Sequence, residues 1–323
     1  MFVRPCVQSD LAAVERLAFD SPVGLTSLPE DSGRLAERLA RSEQSFAKNV
    51  STPGDEEYLF ALIDEASGEL VGISGLVAKS GVRDPYFNFR RERYLAYSQT
   101  TGESNRLARL LLVTDNQDKT VLSAFFIHAQ YRNRANIELL SRARILFMAS
   151  FPERFCEEVI VEFVGVTNHK AESPFWNAVG RAFFNMEYDQ AEHYCGTLSK
   201  AFIGELAPPY PIYEALLNDD ARSVIGKAAP EDADVIAVAK TEGFVQSPHV
   251  DIFDAGPCFT CRRDYLYSLR NSQVLAAANN ENLPAGWFAP LAVQNFMCVA
   301  SAERHLLGTE HQALRYVGEV PAP

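Results

Sequence analysis

Three acids stand where apolar runs would otherwise be unbroken. Glu162 interrupts Val159-Ile160-Val161-Glu162-Phe163-Val164, a strand-like stretch. A carboxylate there faces a polar cleft, pairs with a cation, or points outward from a strand edge, because an unpaired buried charge is costly. Asp251 and Asp254 break Val250-Asp251-Ile252-Phe253-Asp254 in the same way. They could hold a cationic substrate through charge-assisted hydrogen bonds, or cap a turn before Ala255-Gly256-Pro257. Arg132, Arg134 and Asn136 lie in Arg132-Asn133-Arg134-Ala135-Asn136-Ile137, between a strand and a long helix. Backbone amides at a helix start bind phosphate and nearby arginines help; ordinary helix-start charge is the plainer reading.

Other chemistry is weaker. Cys258-Phe259-Thr260-Cys261 is the one C-x-x-C. It lacks the second ligand pair of a structural zinc site and the strand-to-helix setting of a redox motif, so the two are read as ordinary thiols and no metal is expected. The histidines are His128, His169, His193, His249, His305 and His311, and no two form H-E-x-x-H. No phosphate-binding glycine fingerprint is present.

The 323 residues carry 30 Lys plus Arg against 42 Asp plus Glu, a net charge of −12. Such a polyanion disfavours nucleic acid and anionic membrane surfaces. No apolar run reaches the ~18–20 residues of a membrane helix, and the start reads as lacking a secretory signal. With isolated, apolar-flanked cysteines, the expectation is a reduced, cytoplasmic protein.

The elements that must position these residues follow from periodicity and caps. Residues 1–6 read as a strand and the next helix starts at Ser9, with Leu11, Val14 and Leu17 at helical spacing. Pro29 is expected to open a second helix carrying Leu35 and Leu39. Residues 58–63 and 70–77 form a hairpin pattern, and 86–97 a further strand pair. Strands are expected at 110–113, 121–128, 159–166 and 201–206. A long helix spans 135–151, and another starts at Ser173-Pro174. Residues 212–217, 221–225 and 231–242 read as helical, the last ended by Gly243. From about Ser247 the texture becomes strand-like, with a polar gap at 279–282. This predicts a mixed α/β (α+β) fold with a body over 1–246 and a small β-rich C-terminal subdomain over 247–323.

Several strings, in register from the N-terminus to about Pro257, resemble the arginine N-succinyltransferase family. They are Ser21-Pro22-Val23-Gly24-Leu25-Thr26-Ser27-Leu28-Pro29, Ser173-Pro174-Phe175-Trp176, Pro211-Ile212-Tyr213 and Asp251-Ile252-Phe253-Asp254. Residues 20–29, 147–155 and 173–181 look most like the α subunit of a two-subunit bacterial enzyme acting on arginine and ornithine. The resemblance implies a GNAT-like acyltransferase with a central, largely antiparallel sheet. It implies transfer of succinyl from succinyl-CoA, a cosubstrate and not a resident cofactor, to the α-amino group of arginine in arginine catabolism. A splayed strand at 123–127 would pair with CoA, and Phe125 falls at a family succinyl-CoA contact. Arg132, Arg134 and Asn136 would meet the phosphates; Thr26, Ser27, Glu162, Asp251 and Asp254 would line the amino-acid pocket.

Two departures stand out. The family loop R-x-x-G-x-G/A has Ala135 and Ile137 at its glycine positions, and Ile137 is expected to crowd the phosphates. The family's proton-donor histidine is replaced by Ala229 in Val224-Ile225-Gly226-Lys227-Ala228-Ala229-Pro230, so another group has to stand in for it: a nearby tyrosine, a water, or Glu162 as a candidate. The expected partner is a β-type subunit in a hetero-oligomer, or further copies in a homo-oligomer. The competing expectation is a structural or regulatory subunit with little chemistry of its own; a third is an acyltransferase retuned to another amine.

Overall fold

The computed structural model describes residues 1–22, 24–168, 170–197, 200–276, 284–307 and 313–319. Val23, His169, His311 and the polar gap at 279–282 lie outside them.

Helices α1 (Leu11–Asp20) and α2 (Ser32–Ala47) follow the first strand, β1 (Phe2–Pro5). The helix expected from Pro29 starts later, because the Asp31 carboxylate caps the Arg34 amide at 2.8 Å. Strands β2 (Glu57–Ile63) and β3 (Leu70–Val77) make the expected hairpin. All of β2 is buried, which explains a continuous apolar run instead of an alternating one. The next stretch is one strand, β4 (Asn88–Tyr97), and not a pair. It turns at Gly102, in the left-handed region at φ 71°, into β5 (Ser104–Val113), which begins well before the expected residue 110.

Strand β6 (Thr120–Ile127) leads into α3 (Arg134–Ser150) and then β7 (Glu158–Glu162). Because α3 carries the chain back, β6 and β7 run parallel, unlike every other strand pairing among the described residues. Helices α4 (Pro174–Ala178), α5 (Gly180–Phe184), α6 (Tyr188–Thr197) and α7 (Ala201–Leu206) follow. Residues 201–206 are therefore helical, not a strand: six mostly apolar residues carry no decisive period, and Ile203 finds its burial against the α4–α6 cluster. The expected helix at 212–217 is instead β8 (Ile212–Tyr213) and one 3₁₀ turn. Helices α8 (Asp219–Val224) and α9 (Ala233–Thr241) precede β9 (Val245–Val250) and β10 (Pro257–Arg262). A short α10 (Tyr267–Arg270) leads to β11 (Gln273–Ala276), β12 (Gly286–Pro290), β13 (Cys298–Ala300) and β14 (Ala313–Gly318).

The strands join one sheet in the order β11-β14-β12-β13-β1-β2-β3-β6-β7-β10-β9-β4-β5-β8. The last quarter of the chain is β-rich, and it enters the sheet at two places: β10 beside β7, and β11–β14 beyond β1. One core packs α1 and α2 against Leu59, Ala61, Ile63 and Ile73. On the opposite face, α3 and α9 pack on Phe60, Leu62, Val159 and Val161. No helix among the described residues is long and apolar enough to cross a membrane.

Candidate functional site

Pairing of β6 with β7 covers Thr120↔Val159, Val121↔Ile160 and Leu122↔Val161, and stops there. Beyond that point β7's continuation turns away: the Phe163 amide donates to Pro257 O at 3.2 Å and the Ala229 amide to Val164 O at 2.8 Å. The sheet therefore opens into a wedge whose β6 side is residues 123–127, the segment expected to splay. The β6–β3 register slips at the same place, between Gly75↔Ser123 and Ile73↔Phe126, and Ala124 sits at φ 50°. The extra residue reverses the facing of all that follows. Strict alternation from Leu122 would send 124 and 126 toward α3; with the bulge, Phe125 and Ile127 pack there, and Ala124 and Phe126 face α1 and α2.

A cavity of about 840 Å³ fills the wedge and opens to both faces of the sheet. On the α3–α9 face it is bounded by Phe125, Arg132, Arg144, Asp232 and Val235; on the other by Thr26, Ser27, Tyr86, Glu162, Lys200 and Asp251. That size suits a small molecule, and a passage through a sheet suits two reactants meeting from opposite sides.

Glu162 ends β7 on the face away from α3 and points into this cavity, which settles the cleft-or-edge alternative for the cleft. The Tyr86 hydroxyl donates to its Oε2 at 2.7 Å and Asn88 Nδ2 to its Oε1 at 2.5 Å. Asn88 is itself oriented by Asn116, whose Nδ2 donates to Asn88 Oδ1 at 2.7 Å. Burial, and then the neighbouring Asp251 charge, push Glu162 up to about 6. Lys200 supplies the local positive charge; its pKa is raised by Cys195 and, against desolvation, by Glu162 and Asp251.

The two aspartates differ. Asp251 lines the cavity and accepts from the Phe253 and Asp254 amides at 2.6 and 3.1 Å, both through Oδ1. Asp254 also lines the cavity, but it is buried and spends both oxygens on backbone: Gly165 N–H at 2.6 Å and Gly256 N–H at 2.7 Å. Its carboxyl is nonetheless raised, by burial and then by Asp251. Asp254 thus latches the turn after β9 to the continuation of β7.

Thr26 and Ser27 both line the cavity, and Ser27 Oγ accepts the Ala124 amide of the bulge at 3.0 Å. Arg132 lies at the rim, donating to Glu231 O at 2.7 Å. Arg134 is exposed and pairs with Glu138 at 2.8 Å; Asn136 is buried and donates to Tyr131 O at 2.7 Å. Neither is brought to the cavity. Ile137 does not crowd the loop, because its side chain is buried in the core under α3. Ala229 does line the cavity, so the histidine position of the family string falls at the site. Cys258 and Cys261 are three apart on a strand and face opposite sides, one beside Ile160 and the other in the α3 core.

Several site residues have weak sequence signals. Tyr86 and Asn88 lie in an aromatic stretch where nothing marks a function. Lys200 is a lone lysine. Glu192, behind the cavity-lining Gly24, accepts the Gly24 amide at 2.6 Å, and burial first of all raises it to about 8, yet it sits in an unremarkable polar helix. Arg144 was legible by the logic applied to Glu162: it is a charge inside Ala143-Arg144-Ile145-Leu146-Phe147.

Comparison with known proteins adds the chain's relationships. The family described as "Arginine N-succinyltransferase beta subunit" matches residues 1–268. The arginine N-succinyltransferase subunit alpha of Pseudomonas aeruginosa is 42% identical over 88% of this chain and 85% of its own. The subunit beta of the same organism is 39% identical over 86% and 81%. The solved arginine/ornithine succinyltransferase subunit AI from Pseudomonas aeruginosa superposes with a TM-score of 0.88 at 36% identity, covering 98% of both chains. The mixed, largely antiparallel GNAT-type fold is thereby shared over nearly the whole length. With a family match over residues 1–268 and relatives at 42% and 39% identity, the chain belongs to the arginine N-succinyltransferase family.

Proposed function

We infer that this chain is an N-succinyltransferase subunit that transfers succinyl from succinyl-CoA to the α-amino group of arginine or ornithine. The observation that carries this reading is the wedge between β6 and β7, with a polar, mainly acidic group on one face and the start of α3 on the other. Acyl-CoA enters on the α3–α9 face, where Arg132 and the amides at the start of α3 meet its phosphates. The amino acid enters on the Glu162 and Asp251 face, where the acids complement its positive charge. The chain works in the cytoplasm, in a complex with a β-type subunit or with further copies of itself.

Glu162 takes a proton from the substrate ammonium, and the freed amine attacks the thioester carbonyl. The C–N bond forms and the C–S bond breaks; the proton held by Glu162 passes through water to the departing CoA sulfur, and Glu162 then takes the second amine proton and releases it to solvent. Near neutral pH Glu162, held at about 6, is mostly ionised and still basic enough to accept a proton. The Tyr86 hydroxyl, bonded to the same carboxylate, orients it. Alanine at 229 removes one donor, yet this ionisable pair remains in the cavity, which favours a chemical over a purely structural role. The test is CoA release with succinyl-CoA and either amino acid, by the chain alone and with a β-type partner. Turnover that depends on this chain supports the reading; no turnover in either arrangement sinks it.

A further inference from the structure

Arg144 lies ten residues into α3, 3% exposed, with its guanidinium carbon 5.1 Å from the centre of the Phe125 ring. Its Nε and Nη1 are sealed from solvent without a hydrogen-bond partner, and no acid among the described residues pairs with it. Yet it lines the cavity. Two other buried arginines show how this fold normally treats such a group. Arg142 pairs with Glu242 and donates to Ser268 Oγ at 2.9 Å. Arg154 donates to Tyr58 Oη at 3.0 Å and to the carbonyls of Ser45 and Lys48 at 3.1 and 2.8 Å. A buried charge left without a counter-charge is strongly destabilising, so Arg144 calls for an anion from outside the chain.

The other cations around the cavity are already matched. Arg38 pairs with Glu57, Lys79 with Asp118, Arg83 with Asp55 and Arg132 with Asp232, and Lys200 faces Glu162 and Asp251. Burial pushes Arg144 down to about 9, which leaves it cationic at neutral pH. Its place separates the anions an acyl-CoA offers. The phosphates belong at the start of α3, and Arg144 lies about 15 Å further along the helix. Phe125, under its guanidinium, borders the bulge at the wedge, where the acyl group would sit.

We propose that Arg144 binds the distal carboxylate of the donor's succinyl group and so selects a dicarboxylic over a monocarboxylic acyl-CoA. The proposal rests on the succinyl-transfer reading above. Butyryl-CoA, with the same four-carbon acyl chain but no carboxylate, is the comparison donor. In Arg144→Met the kcat/KM ratio of succinyl-CoA to butyryl-CoA is expected to fall about 100-fold, the scale of breaking a buried charge pair, with Arg144→Lys retaining part of it. Free CoA, which has the phosphates and no acyl carboxylate, is expected to bind Arg144→Met and the wild type equally by calorimetry. An unchanged donor ratio in an active Arg144→Met overturns the proposal and leaves the succinyl-transfer reading standing. Loss of CoA binding in parallel with succinyl-CoA also overturns it, by showing that Arg144 holds the phosphates or the fold. A wild type that never turns over succinyl-CoA removes the underlying reading itself.

Discussion

At the residue scale, the role proposed for Glu162 rests on two oxygens fixed by Tyr86 and Asn88 in a site where burial makes the charge expensive. Glu162→Gln is expected to lower kcat roughly 100- to 10,000-fold, the usual worth of a positioned acid or base. The wild-type kcat/KM should rise with pH through about 6, as the carboxylate ionises, and that limb should be missing from the variant's profile. Stability runs the other way. The folded value lies above the ordinary 4.5, so the folded state holds this proton more tightly. The contribution is present in full below about 4.5 and is lost as pH rises through about 6. Urea titrations at several pH values should therefore show the wild type losing ground to Glu162→Gln between those limits.

At the level of elements, two devices shape the wedge. One is the bulge in β6, held by Ser27 Oγ on the Ala124 amide. A β-branched residue at φ 50° is strongly disfavoured, so Ala124→Val should cost about 2 kcal/mol or more by denaturant unfolding. The other is the Asp254 latch. Asp254→Asn turns an amide NH₂ toward one of two backbone donors and should cost about 1–3 kcal/mol. Its KM for arginine should change less than that of Asp251→Asn, because Asp254's oxygens are spent on Gly165 and Gly256. A larger KM effect at Asp254 would make it a substrate ligand and not a latch.

Over the whole molecule, the chain's last quarter is woven into the sheet. Strand β10 fills the position between β7 and β9, and residues 245–250 form one strand across the expected boundary at 246/247. A chain cut after residue 246 should fail to give a cooperative thermal transition, since β7 and β4 lose their bridging strands. Removing only β11–β14 uncovers the β1 edge and strips Trp287 and Phe296 from the core under α3, so that truncation should aggregate. Light scattering and circular dichroism of the two truncations distinguish these outcomes.

Much of this was legible in sequence because it is local. Caps such as Ser173, the hairpin at 58–77 and the long helix before Pro152 depend on neighbours a few residues apart. Glu162 was marked by its apolar flanks, and the ordered strings marked the family. The ambiguous cases failed where local signal was thin: 201–206 became helical through packing, and 88–97 ran unbroken because its turn lies further on. Only the tertiary structure could decide partners across the chain. Tyr86 and Asn88 meet Glu162 from more than 70 residues away, and Arg144 is unpaired while Arg142, two residues earlier, is matched by Glu242. Which face Phe125 takes was likewise set by a one-residue bulge against β3. Sequence thus determined most of the elements and the family; the fold decided the short ambiguous segments and which charges meet, because desolvation and pairing depend on atoms that only folding brings together.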